Sequence, residues 1–451
     1  MSLNLFYRLL LLIAFISSLP LTGSGQSAYQ PINKTYVDNI QTVRFHVAGF
    51  VNSYPLIDLN GSAQLRLSFD DLSEDVKRYT YRVIHCDRNW EPSRLGELEY
   101  LDGYAEDNVQ EYDFSFRTLA EYVHYDLFFP NRDMDVTKSG NYLLVVYEDE
   151  REEKTVITRR FYVVDNRASL NGEVVRATTV KKIHTHQEVD LVANVKQLDL
   201  RAPLQELSVA VLQNGRLDNM VTDIIPNLVR GDIVQFNYQG KVSFAGGNEF
   251  RNLDLRSIAA PRSEVLDISN EGDRYAMLLA SDRPRDQSIF LNYADLNGDF
   301  VNFRDDRPVI NVAAEFSDGN FDRLNLDFTG DYIMTTFVLK MNQELENDDV
   351  YLFGGFTEFQ KKDKFMMTWN PTINAYVAQA LLKQGFYNYW YVTDRDRIGG
   401  VDNNGSEVAL SKTEGNFDET ENDYITLLYY RPIGGRYDQL VGSTLLNSNV
   451  D

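Results

Sequence analysis

Glu188-Val189-Asp190-Leu191-Val192-Ala193-Asn194-Val195-Lys196 alternates apolar and polar side chains with a period of two. In an extended chain this puts Val189, Leu191, Ala193 and Val195 on one face, the pattern of a half-buried strand. The same period returns at residues 309–316, with Ile310, Val312, Ala314 and Phe316 in phase, and at Phe365, Met367 and Trp369. No stretch shows an amphipathic helix longer than a turn or two. The 27 tyrosines and 26 phenylalanines suit sheets, so the fold class is all-β.

Turn signals divide the strands at the spacing of sandwiches: Asn60-Gly61, Ser139-Gly140-Asn141, Gly246-Gly247-Asn248, Asn297-Gly298, Asp318-Gly319-Asn320 and Asn404-Gly405. Length alone suggests about three domains. Polar connectors after Val164 and around Gly330-Asp331 put the units at 26–165, 166–330 and 331–451, all expected to be immunoglobulin-like sandwiches. Residues 26–39 read as an extended arm ahead of a first strand over 43–47.

Residues 1–25 read as a signal peptide: Arg8 gives the positive end, 9–19 the apolar run and Gly23-Ser24-Gly25 the small residues for cleavage. The run is too short to span a bilayer, and no cysteine closes it, so an exported protein without a lipid anchor or membrane insertion is expected. With 67 Asp and Glu against 44 Lys and Arg, the formal net charge is −23. Such a surface repels phosphate backbones and anionic lipid, which argues against nucleic acid as a partner. The charge serves solubility, or it complements a basic rim on a partner. Cys86 has no second cysteine to pair with, so the domains must rest on apolar cores, and a buried, inert thiol is expected. His85, its neighbour, points to the opposite face of a strand.

The segment Tyr81-Arg82-Val83-Ile84-His85-Cys86-Asp87-Arg88-Asn89-Trp90-Glu91-Pro92-Ser93 is followed by Tyr122-Val123-His124-Tyr125-Asp126-Leu127-Phe128-Phe129-Pro130-Asn131 and by Ser139-Gly140-Asn141-Tyr142-Leu143-Leu144-Val145-Val146-Tyr147. In order and spacing these resemble the N-terminal domain of the plug proteins of the type IX secretion system. The resemblance recurs at Arg431-Pro432-Ile433-Gly434-Gly435-Arg436-Tyr437-Asp438-Gln439-Leu440-Val441-Gly442. It implies a periplasmic partner of the outer-membrane translocon barrel, lodged at the inner face of the outer membrane, that occludes the barrel when nothing else engages it. His85, Cys86, Asp87, Trp90, Ser93, Gly140, Tyr142, Arg436 and Asp438 are the family-motif residues, expected to be structural. Asp87 is placed to cap backbone amides in a turn that folds Trp90 back on the sandwich end. The alternative is a contact surface made by the loop 90–104.

The last unit, with Val350-Tyr351-Leu352-Phe353-Gly354-Gly355-Phe356-Thr357 and Gly385-Phe386-Tyr387-Asn388-Tyr389-Trp390-Tyr391, looks like the early-set sandwich of glycogen-binding modules. Tyr387, Tyr389 and Tyr391 share one face and Trp390 the other, so at least one set is core. The other could stack on sugar, which makes an exported carbohydrate-binding protein the rival reading. Its discriminators are the missing lipid-anchor cysteine and a response to glycans. The ending Leu445-Leu446-Asn447-Ser448-Asn449-Val450-Asp451 does not resemble the sorting domains of cargo.

Two metal-like patterns stand beside an ordinary account. His184 and His186 share a face if they lie on a strand, with Glu188 in phase; an exposed polar strand face is the more ordinary account. Asp295-Leu296-Asn297-Gly298-Asp299 has half the look of a calcium loop without its closing acid, and Asn297-Gly298 between 290–293 and 300–303 reads as a type I′ hairpin. No nucleophile elbow, zinc helix, phosphate loop or dinucleotide fingerprint occurs. The expectation is a protein without catalytic residues, cofactor, metal or small-molecule substrate.

Overall fold

The computed structural model describes residues 29–73, 75–148, 154–305, 327–394 and 408–449. The leader, the strand read at 309–316 and the turns at 318–320 and 404–405 lie outside them. Strands dominate; the α-helices described are single turns, Glu97–Tyr100 and Pro203–Glu206.

The first body pairs a six-stranded sheet with a four-stranded one. In the six-stranded sheet, Lys34–Thr35, Lys154–Val164, Gly140–Glu148, Tyr79–Cys86 and Asp107–Asn108 lie side by side, with Leu56–Asp58 joining Lys154–Val164 in parallel. The other runs Ile40–Val47, Leu65–Asp71, Val123–Phe129, Glu111–Phe114. Alternation decides which side chains meet. Leu65, Leu67 and Phe69 face Tyr142, Leu144 and Val146 in the core between the sheets, joined by Tyr79, Tyr125 and Phe161. The arm before residue 40 ends as an edge strand of this body, with Lys34 and Thr35 opposite Thr158 and Ile157.

The odd residues of Gly140–Glu148 point the other way. Leu143, Val145 and Tyr147, with Cys86, Trp90 and Tyr162, pack on Ala210, Leu212, Ile425, Leu427 and Tyr429 of a second, four-stranded sheet. That sheet orders Val221–Ile224, Leu207–Gln213, Asp423–Tyr430 and Gln439–Asn447. Its far face, through Val209, Val211, Tyr424 and Leu428, meets Val189, Leu191 and Ala193 of a five-stranded sheet built on Ser169–Arg176 and His186–Asn194. Four sheets therefore stack in sequence over three apolar layers.

The pairing cuts across the boundary read at 330/331. The hairpin formed by Asp423–Tyr430 and Gln439–Asn447, placed by sequence in the last unit, completes the middle body, with Leu207 opposite Tyr430 and Gln213 opposite Tyr424. In return, Arg251–Asp254 and Phe300–Asn302 leave the middle unit and pair with Gly385–Thr393. The reason is in the side chains: both faces of Asp423–Tyr430 are apolar, so it must lie between two layers.

The third body is a nine-stranded sheet that folds over one core, with Met366–Asn370 paired to both halves. Phe337 meets Tyr389 edge-on at 5.2 Å across that core. Residues 290–293 are not a strand; Phe300–Asn302 takes Gly385–Thr393 as its partner instead. The Asn297-Gly298 turn itself is present, with φ of 52° and 87°.

Candidate functional site

The strand Tyr79–Cys86 ends where Asp87 accepts from the amides of Asn89 at 2.9 Å and Glu91 at 3.2 Å. The turn holds Trp90 at φ 68°, a left-handed conformation that a bulky residue keeps only when its surroundings enforce it. Here they do: the indole is buried, meets Tyr162 edge-on at 5.4 Å, and carries the Arg160 guanidinium 4.2 Å above its ring. Ser93 closes the turn by donating its amide to the His85 carbonyl at 2.8 Å.

The two motifs, some 350 residues apart, meet at this junction. Asp438 is buried and accepts from the backbone amide of Arg88 at 3.0 Å and from its Nη1 at 3.1 Å. His85 lies within 4.9 Å of the Tyr142 ring, 5.4 Å of Tyr437 and 5.6 Å of Tyr100, and its Nε2 faces the Ser139 carbonyl at 3.2 Å. Gly140 permits that approach: its φ is 144°, and a Cβ there would come within 2.7 Å of His85 Nε2 and 3.2 Å of the Asp438 carbonyl. Tyr142 donates its hydroxyl to the Lys138 carbonyl at 2.8 Å. Tyr429 donates to Asn141 Oδ1 at 2.8 Å, and Asn141 donates to the Asp87 carbonyl at 3.2 Å. Arg436 grips Glu99 outside, in an exposed pair.

This arrangement supports packing. Burial pulls His85 down to about 4 and pushes the Cys86 thiol up to about 12, so neither carries charge near neutrality. Arg88, Asn141, Tyr429 and Arg160 belong to the same junction and were not singled out by sequence. Arg88 and Asn141 lie within the quoted motifs, whereas Tyr429 and Arg160 carry no local signal.

Outward from the junction runs the connector 91–117, which buries Tyr100, Leu101 and Val109 but leaves other large apolar side chains in solvent: Leu98 is 92% exposed, Tyr104 65% and Phe114 61%, with Tyr112 and Phe116 also exposed. Eight carboxylates and two arginines lie in the same 27 residues. All four residues of the edge strand Glu111–Phe114 are exposed. Apolar tips set in a polar rim are what a protein contact surface looks like. The loop 90–104 thus divides: Trp90 and Tyr100 are buried, Leu98 and Tyr104 are out.

The metal-like patterns resolve otherwise. The strand begins at His186, leaving His184 in the preceding turn and 78% exposed, so the two do not share a strand face. Glu188 is buried and accepts from the Thr178 amide and hydroxyl. Asp295 holds the amides of Phe250 and Asn297, while Asp299 pairs with Arg44 at 3.2 Å. Among the described residues no group of three His, Cys, Asp or Glu could hold a metal. Tyr387, Tyr389, Tyr391 and Trp390 are all buried, the three tyrosines in the core and Trp390 stacked on Phe250 at 3.6 Å. Both faces of that strand are covered, so these rings cannot stack on sugar.

The fold and junction define a tandem β-sandwich protein whose first two bodies share a continuous apolar layer. Residues 40–165 match the family model for the type 9 secretion system plug protein 1st domain, the family whose motifs the first sandwich resembles. A hypothetical protein from Parabacteroides merdae, of known crystal structure, is 29% identical over 92% of this chain and 99% of its own, with a TM-score of 0.83. The collagen adhesin of S. aureus, 8% identical, has a TM-score of 0.11 and no likeness of fold. No curated protein matches.

Proposed function

We propose that this protein is a non-enzymatic plug in the periplasm that reversibly occludes the inner opening of the type IX outer-membrane translocon. The observation that carries the reading is the plug-domain match over 40–165. The four-sheet stack supports it mechanically: domains joined through an apolar layer move as one body, as a stopper needs, whereas domains linked by a polar hinge would flex.

The connector 91–117 lies in that same domain and is the surface we assign to the barrel. Its exposed aromatics provide anchors and its carboxylates a polar rim, which suits reversible association better than a wide apolar face does. Tagged mature protein drawn from gently solubilised envelopes should bring the barrel with it. Leu98→Asp combined with Phe114→Asp should lose the barrel while melting at the wild-type temperature, because both side chains are in solvent. Undiminished recovery would move the interface elsewhere.

A further inference from the structure

Where the three bodies meet they leave a cleft of about 150 Å³, lined by Tyr54 of the first, Asn214 of the second and Asn297 of the third, with an adjoining cavity of about 50 Å³. Its charge inverts that of the molecule. Carboxylates outnumber Lys and Arg 67 to 44 in the chain, yet this lining carries Arg44, Arg159, Arg160, Lys362, Lys364 and Lys383 against Asp299 and Glu358 alone.

Those two carboxylates are already engaged. Glu358 lies 2.6 Å from Arg159 and also pairs with Lys362, and Asp299 lies 3.2 Å from Arg44. Lys383 is 2.6 Å from Asp70. Arg160 is left over. Its Nε donates to the Pro31 carbonyl at 2.6 Å and its guanidinium lies on Trp90, but no carboxylate pairs with it among the described residues. Arg44 adds a buried Nη1 without a partner. A half-buried guanidinium lacking a counter-ion is unfavourable, and burial pulls Arg160 down to about 10. A planar fork with two free N–H groups matches the oxygens of a carboxylate or phosphate.

We propose that this cleft binds a small oxyanion, a carboxylate or phosphate group, on the Arg160 guanidinium, and that the bound anion ties the three bodies together. The proposal is independent of plugging. It is tested by thermal unfolding of the mature chain in rising inorganic phosphate, or rising acetate, at ionic strength held constant with chloride. Saturable stabilisation by either anion is expected, and it should vanish in Arg160→Gln but persist in Arg94→Gln, whose arginine is on the surface. Stabilisation by neither anion, or an equal response in Arg160→Gln, overturns the proposal. Should Arg160→Gln fail to fold, broadening of the phosphate ³¹P resonance by the wild-type protein, reversed by excess acetate, still decides it; an unbroadened line in a protein that acetate also fails to stabilise overturns the proposal.

Discussion

Single residues at the junction have no room to change. Gly140→Ala would set a side chain against the His85 ring at a φ that alanine resists, so a loss of about 1–3 kcal/mol is expected, read by urea unfolding. A second residue sets a pH response. His124 is buried, its Nδ1 2.6 Å from Asp70 and its Nε2 3.5 Å from Asp126. Burial alone would pull it down, but the carboxylates of Asp126 and Asp70 prevail against nearby Lys383 and raise it to about 9. A raised folded value means that its stabilisation is whole below about pH 6.5 and is lost as pH rises towards 9. Glu249, raised to about 8, and Asp295, raised to about 7, act in the same direction because burial opposes their ionisation, but over lower ranges, the Glu249 loss complete by about pH 8 and the Asp295 loss by about pH 7. Stability should therefore fall by a few kcal/mol between pH 6.5 and 9, since each tenfold gain in a group's proton affinity on folding is worth roughly 1.4 kcal/mol. His124→Gln should flatten the slope, and a slope unchanged by that substitution would remove His124 from the account.

At the scale of elements, strands were legible and their partners were not. Val189, Leu191, Ala193 and Val195 are buried as their alternation requires, because a period of two reports one face of one strand. Nothing local says which sheet that face meets. Asp423–Tyr430 illustrates this: its chemistry reads as a strand, but its neighbour Leu207–Gln213 lies more than two hundred residues earlier. The candidate site divides similarly. Residues 85–93 and 436–438 were recognisable as unusual runs, whereas their meeting depends on a chain reversal that only the assembled sheets display. Tyr429 lies at that seam, bonding across it to Asn141. Tyr429→Phe would strand a buried amide oxygen and should destabilise the protein by about 1–3 kcal/mol, measured by calorimetry. A neutral outcome would mean that the seam is held by apolar packing alone.

Across the whole molecule, two kinds of interface join three bodies. The first and second share an apolar layer; the first and third meet through charge, with Asp70 taking Lys383 and Tyr332, each at 2.6 Å, and Arg66 bridging Asp126 and Asp327. Buried charges of this kind stabilise modestly but punish misalignment, which fixes orientation. A stiff, acidic body with a carboxylate-rich connector should be captured by its partner more slowly as salt rises; association rates falling with ionic strength would show it, and invariant rates would exclude steering. The central claim is tested most directly by electrical recording from the purified translocon barrel in a planar bilayer, before and after the mature chain is added to its periplasmic side. The account predicts that a large open conductance closes and returns when the protein is washed out. A barrel that stays open at saturating protein, while still binding it, would contradict the claim that this protein is a plug.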